Sequence, residues 1–135
     1  MSQLFQKILC PIDYDDQFAA ALDLARRVAE QTGGRVCVLH VVSVDAEADR
    51  GYEKGETLQL EKLAHERLDG RIGYEFVVRT GPAAAEVVNA AKEFGSDLIV
   101  IPTHGRLGFK RLFLGNVAER VIREATVPVL TLRTS

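Results

Sequence analysis

At 135 residues, 47% apolar and 27% charged, the chain has the size of one domain and enough apolar content to bury a core without metal or disulfide staples. Its 17 lysines and arginines against 19 aspartates and glutamates leave a net charge of -2, which excludes the broad positive field of a nucleic-acid or anionic-membrane binder. The two cysteines, Cys10 and Cys37, sit inside apolar runs and point to buried, reduced thiols, not to a zinc site or a redox pair. No run approaches the ~18 apolar residues of a membrane span, and residues 1–7 lack the pattern of a secretion leader. The expectation is a single soluble, cytoplasmic domain over residues 1–135.

Short apolar runs alternate with helix-like segments, the pattern of a parallel sheet covered by helices on both faces. Ile8-Leu9-Cys10-Pro11-Ile12 is continuous enough for a strand buried on both sides, with Asp13 at its carboxyl end. Asp15 or Asp16 is placed to cap a helix whose apolar positions Phe18, Leu22, Ala25 and Val28 recur at helical spacing until Gly33-Gly34 stops it. A second buried strand follows over Val36 to Val42. The charged, aperiodic stretch from Ser43 to Gly55 predicts a surface loop, leading into a helix that carries Leu58, Leu60, Leu63, Ala64 and Leu68.

Tyr74 to Arg79 predicts a third strand, near an edge because Glu75 and Arg79 interrupt it. Gly81-Pro82 opens a third helix through Ala85, Val88 and Ala91, with Pro82 tolerated in its first turn. The turn signal Gly95-Ser96-Asp97 precedes a fourth strand, Leu98 to Ile101. The last helix is expected from Asn116 to about Glu124, and a fifth strand over Val129-Leu130-Thr131-Leu132, at an edge because Pro128 cannot donate to a ladder. A bare apolar edge invites a second chain, so a homodimer through this strand is expected.

Ligands of open parallel sheets gather beyond the carboxyl ends of the strands. Three segments end there: Pro11-Ile12-Asp13, His40-Val41-Val42 and Pro102-Thr103-His104-Gly105. The connection from Thr103 to Asn116 contains Gly105, Gly108 and Gly115 together with Arg106, Lys110 and Arg111. Glycines there let the backbone approach a ligand, and the first amides of the last helix, at Asn116, Val117 and Ala118, would point at an anion. The alternative is a solvated surface loop whose glycines serve turns. Neither G-x-G-x-x-G after strand one nor G-x-x-x-x-G-K-[ST] occurs, so neither dinucleotide fingerprint nor Walker A loop is supported. His104 is a loop-holding histidine or the base of a small hydrolase; no carboxylate or cysteine beside it completes a triad or a metal set. A receiver-type phosphorylation pocket would need an aspartate ending strand three and a lysine ending strand five, where Arg79-Thr80 and Arg133-Thr134 stand.

The order and spacing of Lys7 to Asp13, Val38-Leu39-His40-Val41, Thr103-His104-Gly105-Arg106, Leu114 to Val121 and Val127-Pro128-Val129 resemble the universal stress protein family over essentially the whole chain. The resemblance implies an open five-stranded parallel α/β sheet in the order 3-2-1-4-5, of the Rossmann-like, adenine nucleotide alpha hydrolase-like kind, and a homodimer through the last strand. For one branch of the family it also implies an ATP site, G-x-x-G, nine residues, then G-[ST]. Gly105 and Gly115 stand at the second and third glycines with Arg106 to Leu114 between them, while Pro102 replaces the first glycine and Asn116 the serine or threonine. Proline removes a backbone donor; asparagine still offers an amide and a helix cap. By the same resemblance Asp13 meets the adenosine, and the backbone around Val41 frames the base. The nucleotide-binding set that the resemblance implies also takes in Pro11, Ile12, Ile101, Thr103, His104, Gly105, Arg106, Gly108, Gly115, Asn116 and Val117. The implied cofactor is ATP, alone or with a magnesium or manganese ion, bound without turnover. The rival is a dimeric interaction protein of the same fold that takes no nucleotide.

Overall fold

The computed structural model describes residues 4–12, 18–42, 50–102 and 112–132. Five strands and four helices alternate: β1 (Lys7–Ile12), α1 (Phe18–Thr32), β2 (Arg35–Val42), α2 (Arg50–Leu68), β3 (Gly73–Thr80), α3 (Ala83–Phe94), β4 (Leu98–Pro102), α4 (Leu112–Glu124) and β5 (Val129–Leu132). The strands form one sheet in the order β3-β2-β1-β4-β5, and every described pairing is parallel. The expected order and both expected edges, β3 and β5, are therefore observed.

The continuous apolar runs have the physical cause expected of them: each central strand is covered on both faces. Side chains alternate across a strand, so odd and even positions enter different cores. Leu9, Cys37, Leu39, Ile99 and Ile101 pack with Ala84, Val87 and Ala91 of α3 and with Val117, Ala118 and Val121 of α4. Ile8, Cys10, Ile12, Val36, Val38, Leu98 and Val100 pack with Ala21, Leu22 and Ala25 of α1 and with Leu60, Ala64 and Leu68 of α2. Alanines on α1 and α3 let those helices lie close to the strands.

Two local devices hold the sheet at its amino edge. The turn from α1 to β2 crosses the approach to β1, where Arg35 N–H donates to Gln6 O (2.9 Å) and Thr32 Oγ1–H to Phe5 O (2.8 Å). Gly34 is required there, because a Cβ would stand 2.7 Å from Gln6 O and 2.8 Å from Phe5 O. Asp97, just before β4, accepts from the Gln6 and Lys7 amides (3.0 and 3.1 Å), and its own amide donates to Lys7 O (2.8 Å). The carboxylate thus joins the start of β1 to the start of β4.

Three boundaries differ from expectation. Residues 50–55, expected in a loop, begin α2. Their sequence has no apolar period, but Glu and Lys are good helix formers, and Leu60, Ala64 and Leu68 of the same helix are buried. Likewise α4 starts at Leu112, four residues before the expected Asn116. Pro82 takes the cap position of α3, with φ -64° and ψ 124°, instead of its first turn.

Candidate functional site

The chain leaves β1 to build β2 and β3 on one side, then returns to place β4 and β5 on the other, so the sheet's switch point lies between β1 and β4. Along this seam the paired register is short. The β1–β4 register runs through Ile8↔Leu98 and Leu9↔Ile99, whereas β1 stays paired with β2 up to Ile12↔His40, and β4 with β5 up to Pro102↔Leu132. Pro11 lies just past the last β1–β4 pair and has no N–H for a ladder bond. The carboxyl ends of β1 and β4 therefore flank the switch point, where open parallel sheets place their ligands.

The expected site residues that lie among the described ones are placed as follows. Ile101 is fully buried and Val117 nearly so, in the core under α3 and α4, and Val41 packs against that same core. Their side chains are committed to packing. Ile12 points the other way, into the core under α1 and α2, and offers the switch point only its backbone. Pro11 is buried in β1 beside Leu39. Asp13, Thr103, His104, Gly105, Arg106 and Gly108 lie outside the described residues, as do the capping candidates Asp15 and Asp16.

Gly115 and Asn116 fall inside α4, and this corrects the expected anion cradle. With the helix starting at Leu112, the amides of Asn116, Val117 and Ala118 are spent in i→i-4 bonds, and Asn116 cannot serve as the N-cap. The free donors belong to the turn that begins at Leu112. The positive end of the helix remains on this edge of the sheet, displaced by about one turn toward the basic segment.

Three further features shape this edge. The turn from β3 into α3 closes over the end of β2, Gly81 N–H donating to Val42 O at 3.1 Å. Gly81 has φ 149°, and a Cβ on it would lie 2.7 Å from Glu86 Oε2, so this turn admits no larger residue without moving Glu86. Glu86 in turn accepts from Arg79 Nε at 2.7 Å, and Arg79 also pairs with Glu93 at 2.9 Å. That guanidinium is consumed by two carboxylates and is no anion receptor. His40, which carried little weight in the sequence, is 4% exposed, with Nδ1 3.5 Å from Ile12 O. Its signal was a lone polar residue within an otherwise apolar strand, directly opposite the last residue of β1.

Among the described residues, no group of three or more His, Cys, Asp or Glu is placed to hold a metal. Cys10 and Cys37 are free and buried in different cores. Burial raises both thiols, with Glu75 adding to the rise of Cys37 to about 12. No helix among the described residues is long and apolar enough to cross a membrane.

The family model of the universal stress proteins matches residues 4–133. The chain belongs to the universal stress protein family. It is 31% identical to Universal stress protein YxiE of Bacillus subtilis, over 96% of this chain and all of that one. Its fold superposes on that of a universal stress protein in complex with cAMP (TM-score 0.74, 19% identity, 98% and 99% of the two chains). It also superposes on the universal stress protein of Archaeoglobus fulgidus in complex with dAMP (TM-score 0.68, 23% identity, 96% and 99% of the chains). At these identities the structures establish the shared fold.

Proposed function

We propose that this universal stress protein binds ATP or a related adenine nucleotide at the β1–β4 seam and acts as a dimeric regulatory module of the cytoplasm. The observation that carries this reading is the strand order, which puts the switch point of the sheet between β1 and β4, at the carboxyl end of β1 and near that of β2, where Ile12 and Val41 stand. Two proteins of the same fold carry cAMP and dAMP, which supports an adenine ligand.

In this reading Asp13 takes a ribose hydroxyl or the adenine amine, and the backbone at Ile12 and Val41 frames the base. Thr103, His104, Gly105, Arg106 and Gly108 lead the chain toward the first turn of α4, and Gly115 and Asn116 lie just inside it. The phosphates lie over the free amides of that turn, where the basic residues Arg106, Lys110 and Arg111 neutralise them. Pro102 supplies no N–H, so the phosphate grip rests on the α4 side of the switch point. A magnesium or manganese ion would be carried in with the phosphates.

Phosphoryl transfer requires an aligned nucleophile or a held metal, and the reading assigns neither; the work is done by occupancy. Nucleotide occupancy alters the segment from Thr103 to Leu114 and thereby the surface shown to partners. For the dimer, Leu130 on β5 is 38% exposed and Ile122 on α4 52% exposed, an apolar border at the sheet edge that a second copy would cover. Calorimetric titration tests the reading: heat on adding ATP, and a melting temperature that climbs with nucleotide concentration, are expected. No heat and no thermal shift at millimolar ATP, ADP, AMP or cAMP refutes it and leaves the rival, a dimeric interaction protein whose nucleotide site is closed by Pro102 and Asn116.

A further inference from the structure

β3 is the longer of the two outer strands, eight residues against four in β5, and among the described residues no strand pairs with its outer side. Gly81 N–H donates to Val42 O, and Val42 lies opposite Thr80 in the β2–β3 register. In a parallel ladder such bonds recur at every second residue, so Gly73, Glu75, Val77 and Arg79 turn their peptide groups toward β2. The N–H and C=O groups of Tyr74, Phe76, Val78 and Thr80 then point away from the sheet, a row of donors and acceptors along its edge.

Edge strands are usually guarded by charge. Here the side chains of those four residues share the α2 face and none is charged; Val78 is 45% exposed. Arg79, the cation that could guard the strand from its other face, is drawn onto α3 by Glu86 and Glu93. Between α2 and this edge runs a groove of about 620 Å³. Leu58, 61% exposed, lines it together with Phe76 and Tyr74, and the Tyr74 hydroxyl is fixed 2.8 Å from His65 Nδ1. Three carboxylates, Glu61, Asp69 and Glu75, also line the groove, against Lys62 alone among the described lysines and arginines. Burial pushes the pKa of the Tyr74 hydroxyl up, and Asp69 and Glu61 add to the rise, so the negative field of the carboxylates reaches into the groove.

We propose that the β3 edge is a docking surface for an extended, basic segment of a partner protein, which pairs with β3 as a further strand. Its apolar side chains rest on Leu58 and Phe76, and its lysines or arginines meet Glu61, Asp69 and Glu75. Main-chain bonds along Tyr74 to Thr80 supply affinity, and the carboxylates select the charge of the partner. β5 lies at the opposite edge of the sheet, so a dimer built on that strand leaves this surface open. The proposal does not depend on a bound nucleotide.

The probe is a capped peptide of two Val-Val-Lys-Lys repeats, which matches β3 in length and puts valine and lysine on each face of a strand; the control peptide has glutamate for lysine. Fluorescence anisotropy of the labelled peptides measures binding to the full chain. The basic peptide is expected to bind at least about tenfold more tightly than the acidic one, and about tenfold more weakly in about 1 M salt than in about 0.1 M. Amide hydrogen exchange locates the contact: Phe76 and Val78 are expected to exchange at least about tenfold more slowly in saturating basic peptide, while Val77 and Arg79, already in the ladder, hardly change. Val78→Pro removes an outward N–H and leaves the β2–β3 bonds intact, so it is expected to melt within about 3 °C of the parent and to bind the basic peptide at least about tenfold more weakly. The double variant Glu61→Lys with Asp69→Lys is expected to prefer the acidic peptide. No binding of the basic peptide at about millimolar concentration overturns the proposal, as does equal binding of the two peptides, or binding that leaves the Phe76 and Val78 amides unprotected. Should Val78→Pro not fold, the double variant, altered only at exposed side chains, carries the test: an unchanged preference for the basic peptide overturns the proposal. Protection of the same two amides without peptide, growing with protein concentration, would assign the edge to a second copy of the chain and overturn it too.

Discussion

Removing the Asp97 carboxylate should loosen the seam on which the site depends. Asp97 accepts two backbone hydrogen bonds, from Gln6 N–H at 3.0 Å and Lys7 N–H at 3.1 Å, and these join the start of β1 to the start of β4. Hydrogen bonds to a charged acceptor contribute about 1.5–3 kcal/mol each; with one of these exposed and the other half-buried the low end applies, so Asp97→Ala should cost about 3 kcal/mol. Unfolding entropy near about 2.1 cal/mol/K per residue amounts to about 0.28 kcal/mol/K over 135 residues, which converts that loss to a fall of about 10 °C in melting temperature. Asp97→Asn keeps one accepting oxygen but turns an NH2 toward the second amide, donor against donor, and should lose about 1.5–2.5 kcal/mol. Circular dichroism melts of the three proteins check the order parent, asparagine, alanine. An alanine variant melting within about 2 °C of the parent refutes the claim that this carboxylate fastens β1 to β4.

Gly34→Ala should destabilise by about 1–3 kcal/mol, since its Cβ meets fixed backbone atoms of Phe5 and Gln6. Gly55→Ala, where a Cβ within α2 meets nothing inside 4 Å, should instead stabilise by up to about 1 kcal/mol; chemical denaturation measures both. Neither cysteine should react with a thiol reagent at pH 8 while the protein is folded. For Cys37 the rise from 9.0 to about 12 cuts the thiolate roughly a thousandfold, and a fast-reacting thiol in the native protein would contradict the two-core packing. Arg79 holds the Glu93 carboxyl below its usual range, first through their hydrogen bond and then by charge, so this pairing is present above the ordinary carboxylate range and is lost as pH falls through the lowered value. Carbon-13 titration of the Glu93 carboxyl should show that lowered midpoint; a normal one would place Arg79 on Glu86 alone. Light scattering should give a particle of twice 14.9 kDa, and a monomer would remove the assigned role of β5.

The fold was legible because its cause is simple. Five short apolar runs separated by helix-length segments can bury both faces only as a parallel sheet, and the register shows Leu9, Leu39 and Ile101 entering one core and Ile8, Val38 and Val100 the other. Helix starts were less legible, since they depend on where a chain leaves the surface more than on its apolar period. The turns before Leu58 have no apolar period in sequence and still form helix, and Leu112 starts α4 although the sequence offers Asn116 as an inviting cap. The switch point follows from the strand order and the short β1–β4 ladder from Pro11, both readable. His40 was undervalued because only the register brings it against Ile12, and a register is a long-range property that local spacing does not contain. Asp13 and the segment from Thr103 to Gly108 lie outside the described residues, so their roles rest on the family pattern.

A crystal structure grown in saturating ATP would test the central claim most directly. The account requires the base beside Val41, the ribose within reach of Asp13, and the phosphates over the first turn of α4, where Gly105 and Gly115 leave room for them. Finding that space filled by the protein's own side chains, with no nucleotide between β1 and β4, would contradict it.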